Sequence, residues 1–179
     1  MLNAGGLTLM TDDERLPDPL AAARALPRGS LVIVRSRDVK RRALLAMALR
    51  PLAKVRGLVL LIADDPILAR AIGANGLHLP ERRAREALHW RARNPRWLIT
   101  ASAHSSRALL QAGNADAVLL SPVFPTQSHQ KTKPLSPVRA RLMARAMKIP
   151  VFALGGVTAG NAVLLSGFSG IAAIGASAV

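Results

Sequence analysis

Cysteine is absent from all 179 residues. Its absence excludes a disulfide framework, a thiolate metal site and a cysteine nucleophile, and a reducing, cytoplasmic location is expected. Tyrosine is missing as well, and aromatic residues make up only 3% of the chain. The core therefore falls to Leu, Ala, Val, Ile and Met, and few rings are left to stack on exposed bases. Negative charge is scarce: 10 Asp and Glu face 25 Lys and Arg, a net charge of +15. Such a surface attracts anionic ligands. The arginines gather in helical-looking segments, among them Arg82, Arg83, Arg85, Arg91 and Arg93, where a solvated outer face accounts for them. Without interleaved aromatics, nucleic acid is not the expected partner. No apolar run approaches the roughly twenty residues that a membrane helix needs, and the first residues lack a basic leader, so neither membrane nor export is expected. No Gly/Ser-rich linker or tandem repeat divides the chain, and one domain over residues 1–179 is expected.

What is present is a recurrence of short apolar runs: Leu7–Met10, Leu31–Val34, Leu58–Ile62, Gly76–Leu79, Trp97–Thr100, Ala117–Leu120, Pro150–Leu154 and Gly170–Ile174. Amphipathic or Ala/Leu-rich stretches separate them, and three begin with a capping acceptor followed by proline, at Asp18-Pro19, Asp65-Pro66 and Ser136-Pro137. Strand, cap, helix and strand again is the alternation of a parallel sheet. Eight strands without a dinucleotide-type glycine fingerprint favour an α/β fold of the (β/α)8 TIM barrel type over an open doubly wound sheet. About 250 residues are typical of that barrel, so compact geometry with shortened helices is expected. After Ile174 only Gly175-Ala-Ser-Ala-Val179 remain, which predicts a truncated C-terminal helix and leaves room for a homodimer covering an incompletely jacketed barrel. Periodicity assigns Val39, Ala43 and Met47 to the inner face of 38–49, with Leu44, Leu45 and Leu49 widening it. It assigns Ala84, Ala87 and Leu88 to the inner face of 81–93, and Val138, Leu142 and Met143 to that of 136–148.

In such a barrel the chemistry gathers at the carboxyl ends of the strands. The sixth run passes into Ser121-Pro-Val-Phe-Pro-Thr126, where Pro122 and Pro125 end the ladder. Ser121, Thr126, Ser128 and His129 there offer small donors and a titratable ring to a phosphorylated ligand. Gly155-Gly156 after the seventh strand and Ile174-Gly175 after the eighth would bring backbone amides close to a phosphate. Arg35 and Arg37, two residues apart, would both face the barrel mouth with Ser36 turned away, which suits an anionic substrate. His104, two residues beyond Ser102, is placed for proton transfer. His78, between Leu77 and Leu79, packs and bonds within the barrel. Asp64 is the candidate metal carboxylate, and a lone Asp makes a poor magnesium site.

Taken in order, these motifs resemble the thiamine-phosphate synthase family, which also includes the thiazole tautomerases. The resemblance runs through Leu7-Thr-Leu-Met-Thr-Asp12, Gly76-Leu-His-Leu79, Ser102-Ala-His-Ser105, Ser121-Pro-Val-Phe-Pro-Thr126 and Ile149-Pro-Val-Phe-Ala-Leu-Gly-Gly-Val-Thr158 with Asn161. It implies a barrel that binds a thiazole phosphate or thiamine phosphate. In the synthase branch it implies joining of thiazole phosphate to hydroxymethylpyrimidine diphosphate with release of pyrophosphate and help from Mg2+. The departures fall on the synthase's working parts. Ile33-Val-Arg35-Ser-Arg37 stands where the family has Gln-x-Arg-x-Lys, Ala63-Asp64 where it has Asn-Asp, and Arg83 where it has the second magnesium carboxylate. Glu81 or Asp65 would have to substitute through a shifted loop, and Ser128 and His129 replace the family's second threonine and lysine. The tautomerase branch needs no metal and uses the histidine at position 104 as acid/base. The leading expectation is therefore tautomerase-like proton transfer by His104 with Ser102 as polar partner. The synthase is the first alternative, with Mg2+ its only implied cofactor, and a non-catalytic basic barrel binding RNA or a protein partner is the second.

Overall fold

Each of the eight apolar runs forms a parallel strand in the computed structural model, which describes residues 6–126 and 134–174. The strands are β1 (Gly6–Met10), β2 (Leu31–Val34), β3 (Val59–Ala63), β4 (Gly76–Leu79), β5 (Leu98–Ala103), β6 (Ala117–Leu120), β7 (Val151–Ala153) and β8 (Gly170–Ala173). They close in chain order, and β8 returns to pair with β1. This is the expected (β/α)8 barrel. Its helices are α1 (Pro19–Ala25), α2 (Val39–Arg56), α3 (Pro66–Ala71), α4 (Ala87–Arg93), α5 (Ser106–Gln111) and α6 (Pro137–Arg145). A 3-10 helix over Glu81–Glu86 leads into α4, and another over Ala162–Leu165 stands between β7 and β8. No helix among the described residues is long and apolar enough to cross a membrane. The expected truncation of the last helix concerns residues 175–179, outside the described residues.

Strand parity sorts the core into two parts. Met10, Leu31, Ile33, Leu61, Ala117, Leu119, Phe152, Leu154 and Ala172 fill the barrel interior. Their alternate neighbours, such as Val32, Leu60, Ile62, Leu77 and Val118, pack outward beneath the helices. Two of the three Pro-led caps form as their sequence predicts: Asp18 accepts from Ala21 N–H and Asp65 from Leu68 N–H, both at 2.9 Å. Ser136 does not cap α6 with its side chain. Its φ of 61° takes it out of the extended conformation in which an N-cap hydroxyl reaches the first turn.

The helix faces differ from those expected by periodicity. In α2 the buried residues are Ala46, Leu49 and Ala53; Leu49 packs inward as expected and Leu45 is partly buried against the core, while Val39, Leu44 and Met47 are exposed. In α6 they are Ala140 and Ala144, with Val138 and Leu142 exposed. Ala84 and Ala87 are buried as expected, but Leu88 is exposed. Alanine lets a helix sit close against the barrel, and a face made wholly of large side chains would lift it away. Hydrophobicity alone ranks leucine above alanine and so picks a stripe that is right only in part, at Leu45, Leu49, Met143, Ala84 and Ala87.

Candidate active site

The carboxyl ends of β1 and β2 are tied together through Thr11, whose hydroxyl donates to Arg35 O and accepts from Arg35 N–H, each at 2.8 Å. Arg35 Nη1 then donates to Asp12 Oδ2 at 2.9 Å, and Arg15 Nη2 reaches the same oxygen at 2.7 Å. The hydrogen bond from Arg15 above all, against some desolvation, holds the Asp12 carboxyl well below the usual carboxylate range. Ser36 is buried and donates to Asp13 at 3.0 Å. Arg37 is exposed, with its backbone N–H donating to the same carboxylate at 3.1 Å. Asp12 and Asp13 thus organise this side of the mouth, a role that nothing in their local sequence signals.

His78 lies within the barrel, 3% exposed. Nδ1 is 2.8 Å from Thr100 Oγ1 and Nε2 is 2.9 Å from Ser102 Oγ. Burial, reinforced by the charge of Arg35 and opposed by that of Asp64, pushes its pKa down to about 4. A neutral ring bridging two hydroxyls on β5 is a structural element of the mouth. It also claims Ser102, the hydroxyl expected to assist His104.

Asp64 ends β3 with φ 56°, in the left-handed region that few non-glycine residues adopt. Its backbone N–H donates to His78 O at 2.9 Å. Its carboxylate is shared by two guanidinium groups: Arg83 Nη1 is 2.5 Å from Oδ1, and Arg82 Nη2 meets Oδ2. Arg83 is gripped from its other edge by Glu86, through Nε at 2.8 Å and Nη2 at 2.7 Å. The hydrogen bonds with Glu86 and then Asp64 raise the Arg83 pKa above its ordinary value, and that with Arg83 lowers the pKa of Glu86. The Mg2+ implied by the family resemblance does not fit here. Both oxygens of Asp64 receive N–H donors, and the two replacement carboxylates are engaged elsewhere. Asp65 caps α3 and pairs with Arg42 at 2.8 Å, while Glu81 accepts from His104. Among the described residues no group of three His, Cys, Asp or Glu side chains is placed to hold a metal ion.

Glu81 Oε2 accepts from His104 N–H at 2.6 Å and lies 2.7 Å from His104 Nδ1. Both side chains are a little over one-third exposed. They line an open cleft of about 560 Å³ together with Arg82, Arg85 and Gln111. A carboxylate on Nδ1 fixes the tautomer with Nε2 as acceptor, the arrangement an imidazole base needs. The pairing was not legible at 23 residues' separation.

On the opposite side of the barrel the Gly-Gly turn packs on the loop after β6. Gly155 and Gly156 have φ values of 91° and 67°. A Cβ on Gly156 would come within 2.3 Å of Pro125 O, and one on Gly155 within 3.0 Å of Pro122 Cα. The Gly155 and Gly156 carbonyls accept from Phe124 N–H at 3.1 Å and Asn161 Nδ2 at 2.8 Å. Their own N–H groups donate to none of the described residues. The glycines are thus required by chain-on-chain contact as well as by any approach of a ligand. Ser121 is buried, its N–H donating to Ala103 O at 3.0 Å. Thr126 is partly exposed beside the turn, its Cγ2 being 3.7 Å from a Cβ on Gly155. Ile174 packs against the barrel interior. Ser128, His129 and Gly175 lie outside the described residues.

A family model described as thiamine monophosphate synthase matches residues 7–177. The thiamine-phosphate synthase of Chlorobium luteolum is 35% identical over 178 residues, 95% of this chain and 84% of that protein. The enzyme of the same name from Acidithiobacillus ferrooxidans is 33% identical over 184 residues, 94% of this chain and 84% of that protein. Among solved structures, a thiamine phosphate pyrophosphorylase from Pyrococcus furiosus superposes with a TM-score of 0.78 at 23% identity, over 96% of this chain and 86% of that one. That likeness shows the fold. These relatives carry the name of the synthase branch and lend no support to the tautomerase branch placed first by the sequence.

Proposed function

Since the chain belongs to the thiamine-phosphate synthase family, we propose that it joins a phosphorylated thiazole to hydroxymethylpyrimidine diphosphate, releasing pyrophosphate. The observation that carries the reading is the set of charged groups at successive strand ends: Arg35 after β2 pairs with Asp12, and Asp64 after β3 pairs with Arg82 and Arg83. Arg35, held by Asp12, and Arg82 and Arg83, held by Asp64, bring cationic groups to one mouth, where an anionic leaving group needs them. The thiazole phosphate would sit at the amides of Gly155 and Gly156, near Thr126, across the mouth from Arg35. Neutral His78 keeps Ser102 oriented without adding charge. A biosynthetic role on small phosphorylated substrates agrees with the cytoplasmic location expected from the absence of cysteine.

The test is product formation from the two substrates by purified protein, followed by release of pyrophosphate and appearance of thiamine phosphate. Arg35→Ala is expected to lower turnover by about a hundredfold, the scale for removing one charged transition-state donor. No product with or without divalent metal would overturn the reading. A second reading, proton transfer on the bound thiazole, is favoured by the Glu81–His104 pair. For it, His104→Ala would cost about a hundredfold or more in solvent-deuterium incorporation into the thiazole ligand, and Glu81→Gln a smaller part of that. Incorporation unchanged in His104→Ala would dismiss it.

A further inference from the structure

Arginine occupies the position at which the family resemblance asks for a second metal carboxylate, and the fold anchors that arginine on every side. Arg83 reaches Asp64 through Nη1 at 2.5 Å and Glu86 through Nε and Nη2 at 2.8 and 2.7 Å. Its guanidinium carbon lies 5.9 Å from the centroid of the Trp90 ring, and Trp90 Nε1 donates to Glu86 at 3.0 Å. A guanidinium carries five N–H donors. Three of those on Arg83 point at carboxylates, so two remain. Arg82 donates to the second oxygen of Asp64, and its side chain is 70% exposed, with further donors facing solvent.

We propose that the Asp64–Arg82–Arg83 cluster is a metal-free diphosphate receptor, in which two anchored guanidinium groups do the work of a divalent cation held between two carboxylates. The inference rests on the synthase reading, which supplies a diphosphate as substrate group and product. The charge arithmetic is equivalent. A cation of charge +2 between two carboxylates nets zero, and so do Arg82 and Arg83 set against Asp64 and Glu86. The recognition differs in kind. Guanidinium groups present directed N–H pairs that match phosphate oxygens in a plane, and they remain charged at any working pH. Asp64 acts as a positioning residue: it touches the arginines and leaves the ligand to them. Glu86 and Trp90 fix Arg83 before the ligand arrives, which removes the cost of ordering a long side chain on binding.

The experiment is calorimetric titration of the full chain with inorganic diphosphate, in chelator and again with excess Mg2+. The affinity in chelator is expected to stay within about twofold of that with Mg2+. Arg82→Ala and Arg83→Ala are each expected to weaken it by about tenfold or more at low salt. Arg83→Asp places a carboxylate opposite Asp64 and is expected to gain Mn2+ binding, seen as loss of the free-ion EPR signal, with diphosphate binding that now needs the metal. Arg82 is exposed, so its substitution tests the receptor even if the Arg83 variants unfold. Wild-type binding that demands Mg2+, binding in chelator unchanged by Arg82→Ala, or no diphosphate binding at all would each overturn the inference. The synthase reading is judged separately. Turnover that requires Mg2+ keeps that reading and removes the receptor, whereas metal-free diphosphate binding without turnover does the reverse.

Discussion

Gly76→Ala is expected to leave no stably folded barrel. Gly76 opens β4 between Leu61 of β3 and Leu98 of β5. A Cβ at this position would lie 1.9 Å from Leu98 O and 2.7 Å from Leu98 C and N. All three are backbone atoms of a paired strand, so no side-chain rotation relieves the overlap. The barrel would have to part β4 from β5, which also carry His78 and its partners Thr100 and Ser102. Ordinary overpacking costs about 1–3 kcal/mol, and a clash with immovable backbone belongs at or above the top of that range. Thermal or denaturant unfolding checks this. A cooperative transition with a midpoint near that of the wild type would show that β4 can shift and that the strand spacing here is slack.

The second large effect is acid destabilisation through His78. In the unfolded chain its imidazole takes up a proton near the ordinary value of 6.5, whereas the buried ring holds out to about 4. Between those values the unfolded state binds more protons, so stability is fully present above pH 6.5 and falls as the pH drops toward 4. A gap of that size corresponds to about 3 kcal/mol. Below it the carboxylates take over, since Asp12 and Glu86 also have lowered pKa values in the folded chain. Denaturant midpoints measured between pH 7 and 4 should decline steeply in the wild type. In His78→Gln, less stable at pH 7 because Thr100 and Ser102 lose their ring partner, they should be nearly flat. Parallel profiles for the two proteins would mean that His78 is not the group responsible.

Arg83 and Glu86, three apart, and Glu86 and Trp90, four apart, are helix-like spacings that a reader of the sequence could have joined. They passed as an outer solvated face because a dense run of arginines has that appearance. The sequence offers Glu81 as a substitute metal ligand, and the structure gives it to His104. For Glu81 the residue type is visible in the sequence, whereas its partner lies 23 residues away and is not.

The sequence by itself determined the eight strands to within one residue at every end but that of β5, which runs on to Ala103, together with the caps at Asp18 and Asp65, the interior placement of His78 and the family. These depend on short-range rules: apolar runs of strand length, a carboxylate three residues before the amide it accepts from, and motifs of contiguous residues. Tertiary structure alone decided that alanine faces the barrel from α2 and α6, that Asp64 is clasped by two arginines, that Asp12 holds Arg35, and that Ser102 serves His78 rather than His104. Those pairings join residues 18 to 24 apart. They depend on loop paths such as the left-handed turn at Asp64 and on how closely each helix seats on the sheet. Neither is encoded in local pattern, because the same charges and the same hydrophobic period fit several arrangements until the barrel closes and leaves room for one.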